Sequence, residues 1–209
     1  MGELIVLAER RADKSRPSAL TQPAFFFDLA CPFSYLAAEQ VSRMLGEVEW
    51  IPTATVTLDE PPAAYRAEAE RYAAELRLPL VWPDRYPASA PSALRAASYA
   101  AEIGACDRFA LAASRLAFCG GFDLEDPEIL AEAAAAAAIP LDLCLAAARD
   151  SARDHQPHAT ARGLCSRGIS RLPAVRAGQR WFEGESAPAQ AAALLRLRAV
   201  YGTPLAPRI

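Results

Sequence analysis

Ala24-Phe25-Phe26-Phe27-Asp28-Leu29-Ala30-Cys31-Pro32-Phe33-Ser34-Tyr35-Leu36-Ala37 is the stretch on which the fold turns. Its first four residues are apolar without a break, a run of strand length that fits a strand buried on both faces. From Phe33 the period changes. Phe33, Leu36, Ala37, Gln40, Val41, Met44 and Leu45 recur at spacings of three and four, and Gly46 closes the run, so a helix follows the strand directly. Cys31-Pro32 sits between the two. Proline is tolerated at a first helical position because that N–H has no intrahelical partner. A thiol there faces unpaired amides and the positive end of the helix dipole, which favours thiolate over thiol. Ser34 is near enough to hydrogen-bond the same sulfur. A reactive Cys31 is one reading of this junction; a small apolar residue at a helix start is the other.

Outward from this junction, Arg10 to Pro23 mixes charge, Ser and Pro and reads as an arm or linker. Glu49 to Leu58 alternates and is rich in Val, Ile and Thr, so it is expected to be a second strand, broken by Pro61-Pro62. Helices are expected over Tyr65–Leu76, Ser92–Gly104, Asp107–Phe118, from Asp126-Pro127-Glu128 through the alanine run Ala133–Ala138, over Leu141–Ala152 and over Thr160–Arg167. Ala174-Val175-Arg176 and Arg180-Trp181-Phe182 flank Ala177-Gly178-Gln179, a hairpin signal, and Ala187–Tyr201 reads as a closing helix. The order is β-α-β, a helical block, then β-β-α. It predicts an α/β chain with an arm at 1–23, a sheet-bearing domain made of 24–60 and 168–209, and a helical insertion at 61–167 with a core of its own.

Composition agrees and excludes. The 22 basic and 25 acidic side chains give a net charge of −3, so neither nucleic acid nor an anionic membrane would be attracted by the chain as a whole. Alanine, the best intrinsic helix former, accounts for 48 of the 209 residues. No run approaches a membrane-spanning length and the opening Met1–Glu9 is too short for a signal peptide, so a cytoplasmic location is expected. Cys31, Cys106, Cys119, Cys144 and Cys165 are odd in number and form no CxxC pair, which fits neither a disulfide framework nor zinc. All but Cys31 are expected to pack. His155 and His158 read as solvated, so no metal is expected. Leu172-Pro173, entering the hairpin from a loop, is a candidate cis bond that would leave the Leu172 backbone free for an extended ligand.

With these features in place, the chain resembles the DsbA-like branch of the thioredoxin superfamily, and within it the 2-hydroxychromene-2-carboxylate isomerases and kappa-class glutathione transferases. Phe27-Asp28-Leu29-Ala30-Cys31-Pro32-Phe33-Ser34-Tyr35-Leu36-Ala37 is similar to their opening Phe-Asp-x-x-Ser-Pro-Tyr/Phe-Ser-Tyr-Leu-Ala. Leu78 to Pro87 with Ala93-Leu94-Arg95-Ala96 resembles their central segment, and Gly168 to Pro173 with Trp181 to Gly184 their proline and hairpin segments. The resemblance implies a thioredoxin-like fold with a helical lid, and glutathione or another low-molecular-weight thiol bound between them. Cys31 and Ser34 would act on the cofactor sulfur. Leu172 and Pro173 would pair with its backbone, and Glu185 and Ser186 would meet its ammonium. Read from the residues themselves, Phe33, Trp82 and Tyr86, with Trp181, either line a cleft for a small hydrophobic substrate or pack in the core. A homodimer is an assembly such a chain could form.

The departures from the family pattern are specific. Cys31 stands where the family has serine, which pulls toward thiol–disulfide exchange. Ser34 stands where a disulfide oxidoreductase carries its second cysteine, which pulls away from it. Gly184-Glu185-Ser186-Ala187 replaces Gly-x-Asp-Arg, and no asparagine follows Tyr86-Pro87. Three functions are therefore weighed: a thiol-dependent isomerase or transferase, a monothiol disulfide oxidoreductase using Cys31, and a non-catalytic ligand-binding relative.

Overall fold

In the computed structural model, which describes residues 22–55 and 63–201, the apolar run is strand β1 (Ala24–Phe27) and the following helix is α1 (Pro32–Leu45). Cys31 is the N-cap of α1, Pro32 opens it, and Gly46 at φ +75° ends it. β2 (Glu49–Pro52) follows. Then come α2 (Ala63–Leu76), α3 (Pro91–Glu102), α4 (Cys106–Phe118), α5 (Pro127–Ala136), α6 (Leu141–Arg149), a 3₁₀ turn at Ser151–Asp154 and α7 (His155–Cys165). The hairpin β3 (Ala174–Ala177) and β4 (Arg180–Glu183) turns at Gly178, φ +64°, and α8 (Ala187–Tyr201) closes the described chain. The arm read from residues 1–23 and the second half of the expected Glu49–Leu58 strand fall largely outside the described residues.

The strand order is β2-β1-β3-β4, with β1 parallel to β2 and antiparallel to β3. Side chains alternate across a strand, and β1 uses both faces. Phe25 and Phe27 enter the main core and meet Trp50 edge-on, at 4.9 and 5.7 Å. Phe26 faces the other side, onto Leu164 of α7 and Trp181 of β4. Burial on both sides is why the strand reads as continuously apolar.

Several boundaries differ from the expectation for physical reasons. The strand at Glu49 stops at Pro52, since the Ala54 N–H leaves the sheet for the Pro157 carbonyl of α7 (3.2 Å) and Thr55 turns to Asp28. The helix at Leu141 ends at Arg149, where Asp150 accepts from the Ala152 N–H (3.1 Å) and starts the 3₁₀ turn. α7 begins at His155, not Thr160, and tolerates Pro157 because a proline in the first turn forfeits no intrahelical bond. The alanine helix stops at Ala136, with Ala138 at φ +56°. Asp126 caps it as expected, accepting from the Glu128 N–H (2.9 Å).

Among the described residues the central helices share one core with the sheet in place of the separate core expected. Ala96, Phe109, Ala113, Phe118 and Leu130 lie in one cluster with Phe25, Leu36, Val41 and Val175. Alanine faces present too little apolar area to sustain a core alone, so the block stacks onto α1 through α4 and onto β2 through α3. Arg95 of α3 adds a bidentate pair to Asp154 (2.7 and 2.8 Å). All five cysteines are free. Cys106 and Cys144 pack as expected, Cys119 is half-buried, and Cys165, at the end of α7, is exposed instead of packed.

Candidate functional site

The turn from β1 into α1 is built by Asp28. Its carboxylate accepts from the Ala30 N–H (2.9 Å), the Thr55 N–H (2.6 Å) and the Thr55 hydroxyl, tying the turn to the chain leaving β2. Its carbonyl accepts from the Cys31 N–H (3.1 Å), and its own N–H donates to Ser34 Oγ (3.3 Å). Burial raises the Asp28 carboxyl above its ordinary value against those hydrogen bonds.

Cys31 is only 8% exposed. With Phe33 and Ala69 it forms a small cluster that Tyr65, Tyr72, Leu80, Trp82 and Leu172 close over. Its Sγ lies 3.7 Å from the Tyr65 hydroxyl and 3.8 Å from the Leu172 carbonyl. Burial pushes the thiol above 9.0, outweighing the hydrogen bonds from Ser34 and Tyr65, and the nearby Asp28 charge adds to the rise. Burial thus opposes the thiolate that a helix start favours. A dipole contributes up to about 1 kcal/mol at an exposed helix start, less than the desolvation of a buried anion.

The consequence is measurable. A raised folded-state pKa means the neutral thiol stabilises the fold in full below 9.0, and that contribution is lost as pH rises through the folded value. Peptide-resolved alkylation of the native protein should therefore find Cys31 slow at about pH 8, well behind the exposed Cys165, and accelerating only under more alkaline conditions. Fast Cys31 labelling at neutral pH would contradict this assignment.

Leu172-Pro173 is cis. Among the described residues the Leu172 N–H has no hydrogen-bond partner, whereas the Pro173 carbonyl accepts from the Gly184 N–H (2.8 Å). An unpaired amide beside a thiol fits the backbone of an extended, peptide-like thiol. Glu185 and Ser186 fit its ammonium less well. The Glu185 carboxylate lies 3.7 Å from Arg171, its carbonyl accepts from Tyr72 (3.0 Å), and Ser186 Oγ accepts from Gln190 (2.7 Å), so both belong to the start of α8 and to the rim.

Trp82 and Tyr86 stand 4.7 Å apart, with Phe118 behind both and the Arg66 guanidinium over both rings at 5.0 and 5.1 Å. A depression lined by Leu29, Ala30, Pro83, Tyr86 and Phe118 opens beside the turn. The Tyr86-Pro87 bond is also cis, which the sequence did not indicate. Trp181 is not part of this cleft, since it packs on Phe26 across the sheet. Among the described residues no three His, Cys, Asp or Glu side chains form a metal-holding group.

The structure thus brings Cys31, Ser34, Phe33, Trp82, Tyr86 and Leu172 together and leaves Glu185 and Ser186 at the edge. It adds Tyr65, Arg66 and Tyr72, which the sequence showed only as helix. Their signal was present: Tyr65, Ala69 and Tyr72 fall at i, i+4 and i+7, one face of α2.

A family model for the DSBA-like thioredoxin domain matches residues 24–196. No curated protein matches. Among solved structures the fold is similar to a 2-hydroxychromene-2-carboxylate isomerase (TM-score 0.71, 15% identity, covering 86% of this chain and 98% of that one). A probable DsbA oxidoreductase from Streptomyces coelicolor is also similar (0.68, 19%, 90% and 93%). So is the cytosolic disulfide reductase DsbM from Pseudomonas aeruginosa with GSH (0.62, 18%, 86% and 99%). At these identities a shared fold is what the likeness establishes. No helix of the described residues is long and apolar enough to cross a membrane.

Proposed function

The chain belongs to the DSBA-like thioredoxin domain family, and from that premise we propose that it is a thiol-dependent isomerase or transferase acting on a small hydrophobic electrophile. Glutathione is the thiol that the family resemblance suggests. The observation that carries this reading is the setting of Cys31: buried under α2, its thiol pushed up by that burial, and with Ser34 where a second cysteine would stand. A neutral thiol is a poor attacker of disulfides but can still donate a hydrogen bond.

A low-molecular-weight thiol, when bound, supplies the sulfur that adds reversibly to a conjugated substrate. The chain's residues orient and exclude water. In this reading the Leu172 N–H pairs with the thiol's backbone, the Cys31 S–H steadies its sulfur, and Trp82, Tyr86 and Phe33 hold an apolar substrate against it. Five free thiols suit a reducing, cytoplasmic setting.

Two assays run side by side test the proposal: isomerisation of a cis-configured aromatic enone with and without glutathione, and reduction of insulin disulfides. Enone isomerisation that needs glutathione, with no insulin turnover, is the expected pattern. Insulin reduction that disappears in Cys31→Ser would replace this reading with a monothiol oxidoreductase.

A further inference from the structure

Tyr65 reaches the site sulfur from the lid helix α2, 34 positions along the chain from Cys31. Its ring is fixed edge-on against Phe33 (5.1 Å between centroids). The direction of its bond to Cys31 follows from counting protons. The thiol has one, and the Leu172 carbonyl lies 3.8 Å away to accept it. That leaves the sulfur lone pairs for the phenol, the stronger donor of the two. Burial pushes the Tyr65 phenol far above its ordinary value, so it keeps its proton wherever the protein is folded. Asp28 from the β1–α1 turn, Tyr65 from α2 and Tyr86 from the segment before α3 are the titratable groups facing Cys31.

We propose that Tyr65 is a positioning residue for the site sulfur: its hydroxyl donates to Cys31 Sγ, so that the single S–H proton, given to the Leu172 carbonyl when the site is empty, is strengthened as a donor and turns to a bound thiol. Chains of hydrogen bonds polarise one another in this way. The pair together does what a serine hydroxyl does alone, which is how cysteine can occupy that position. No atom changes its proton in this arrangement. The role in turnover rests on the thiol-dependent reading given above; the bond itself does not.

Tyr65→Phe keeps the ring and the contact with Phe33 while removing the donor, and Cys31 alkylation against pH reads the result without substrate or cofactor. A hydrogen bond to a charged acceptor is worth roughly 1.5 kcal/mol, about one pKa unit, so the Cys31 rate below its midpoint should fall about tenfold. An unmoved midpoint overturns the proposal. A midpoint that falls overturns it too, because that is what a loosened lid exposing Cys31 would produce. Turnover supplies the second arm: Tyr65→Phe should slow the thiol-dependent reaction several-fold with Cys31 present and much less in a Cys31→Ser background. Equal losses in both backgrounds would remove the relay. If the unaltered protein shows no thiol-dependent turnover, the proposed function fails, and the alkylation profile still decides whether Tyr65 donates.

Discussion

Cys31→Ala should lower thiol-dependent kcat/KM by about a hundredfold, while Cys31→Ser should keep it within a few-fold of the unaltered enzyme. Removing one preorganised donor to a developing sulfur or oxygen anion costs on the order of 10²–10³ in rate. The lower end applies here because S–H is a weaker donor than O–H. Serine restores a donor at the same Cβ, with Leu172 and Tyr65 still in place around it. Steady-state kinetics over glutathione concentration makes the comparison. If both variants lose activity equally, Cys31 acts through its nucleophilicity and not as a donor.

Phe118→Ala should destabilise the protein by about 3–5 kcal/mol, a large share of the roughly 5–15 kcal/mol typical of a domain. Phe118 is 1% exposed and stacks on Tyr35 at 5.7 Å, while Trp82 and Tyr86 meet its edge at 6.5 and 6.3 Å. It therefore joins α4 to α1 and to the cleft. Because those elements share one core, chemical denaturation followed by far-ultraviolet circular dichroism and by tryptophan fluorescence should move together as a single shifted transition. Two separated transitions would show that the central helices fold independently of the sheet.

The frame of the fold was legible because its signals are local. The break between the Phe25–Phe27 run and the three-four spacing from Phe33 marks β1 and α1 without any tertiary information. The Asp126-Pro127-Glu128 cap and the Gly178 turn are equally self-contained. What could not be read depends on contacts between distant segments. Trp181 alternates onto the outer face of β4 because of register, and nothing in Arg180-Trp181-Phe182 says which face is the cleft. The helix start left Cys31 open between a reactive thiol and a small apolar residue, and the burial that bears on that choice comes from α2, whose Tyr65 and Ala69 cover the sulfur. The cis bond at Leu172-Pro173 was legible from a proline entering the hairpin out of a loop. Glu185 was legible only by analogy with an acid one residue further on, and the structure gives its carboxylate to Arg171.

The sheet also sets an order in time. Phe25 pairs with Val175, and β3 in turn pairs with β4, so β1 has its antiparallel neighbour only once all the central helices have been made. During synthesis the intervening helices, built from short-range contacts, leave the ribosome before that partner does. The Leu172 carbonyl arrives beside Cys31 with the same late strand. A nascent or truncated chain that stops short of the hairpin carries Cys31 without the backbone that faces it, so the sulfur acquires its shielded surroundings as one of the last events of assembly.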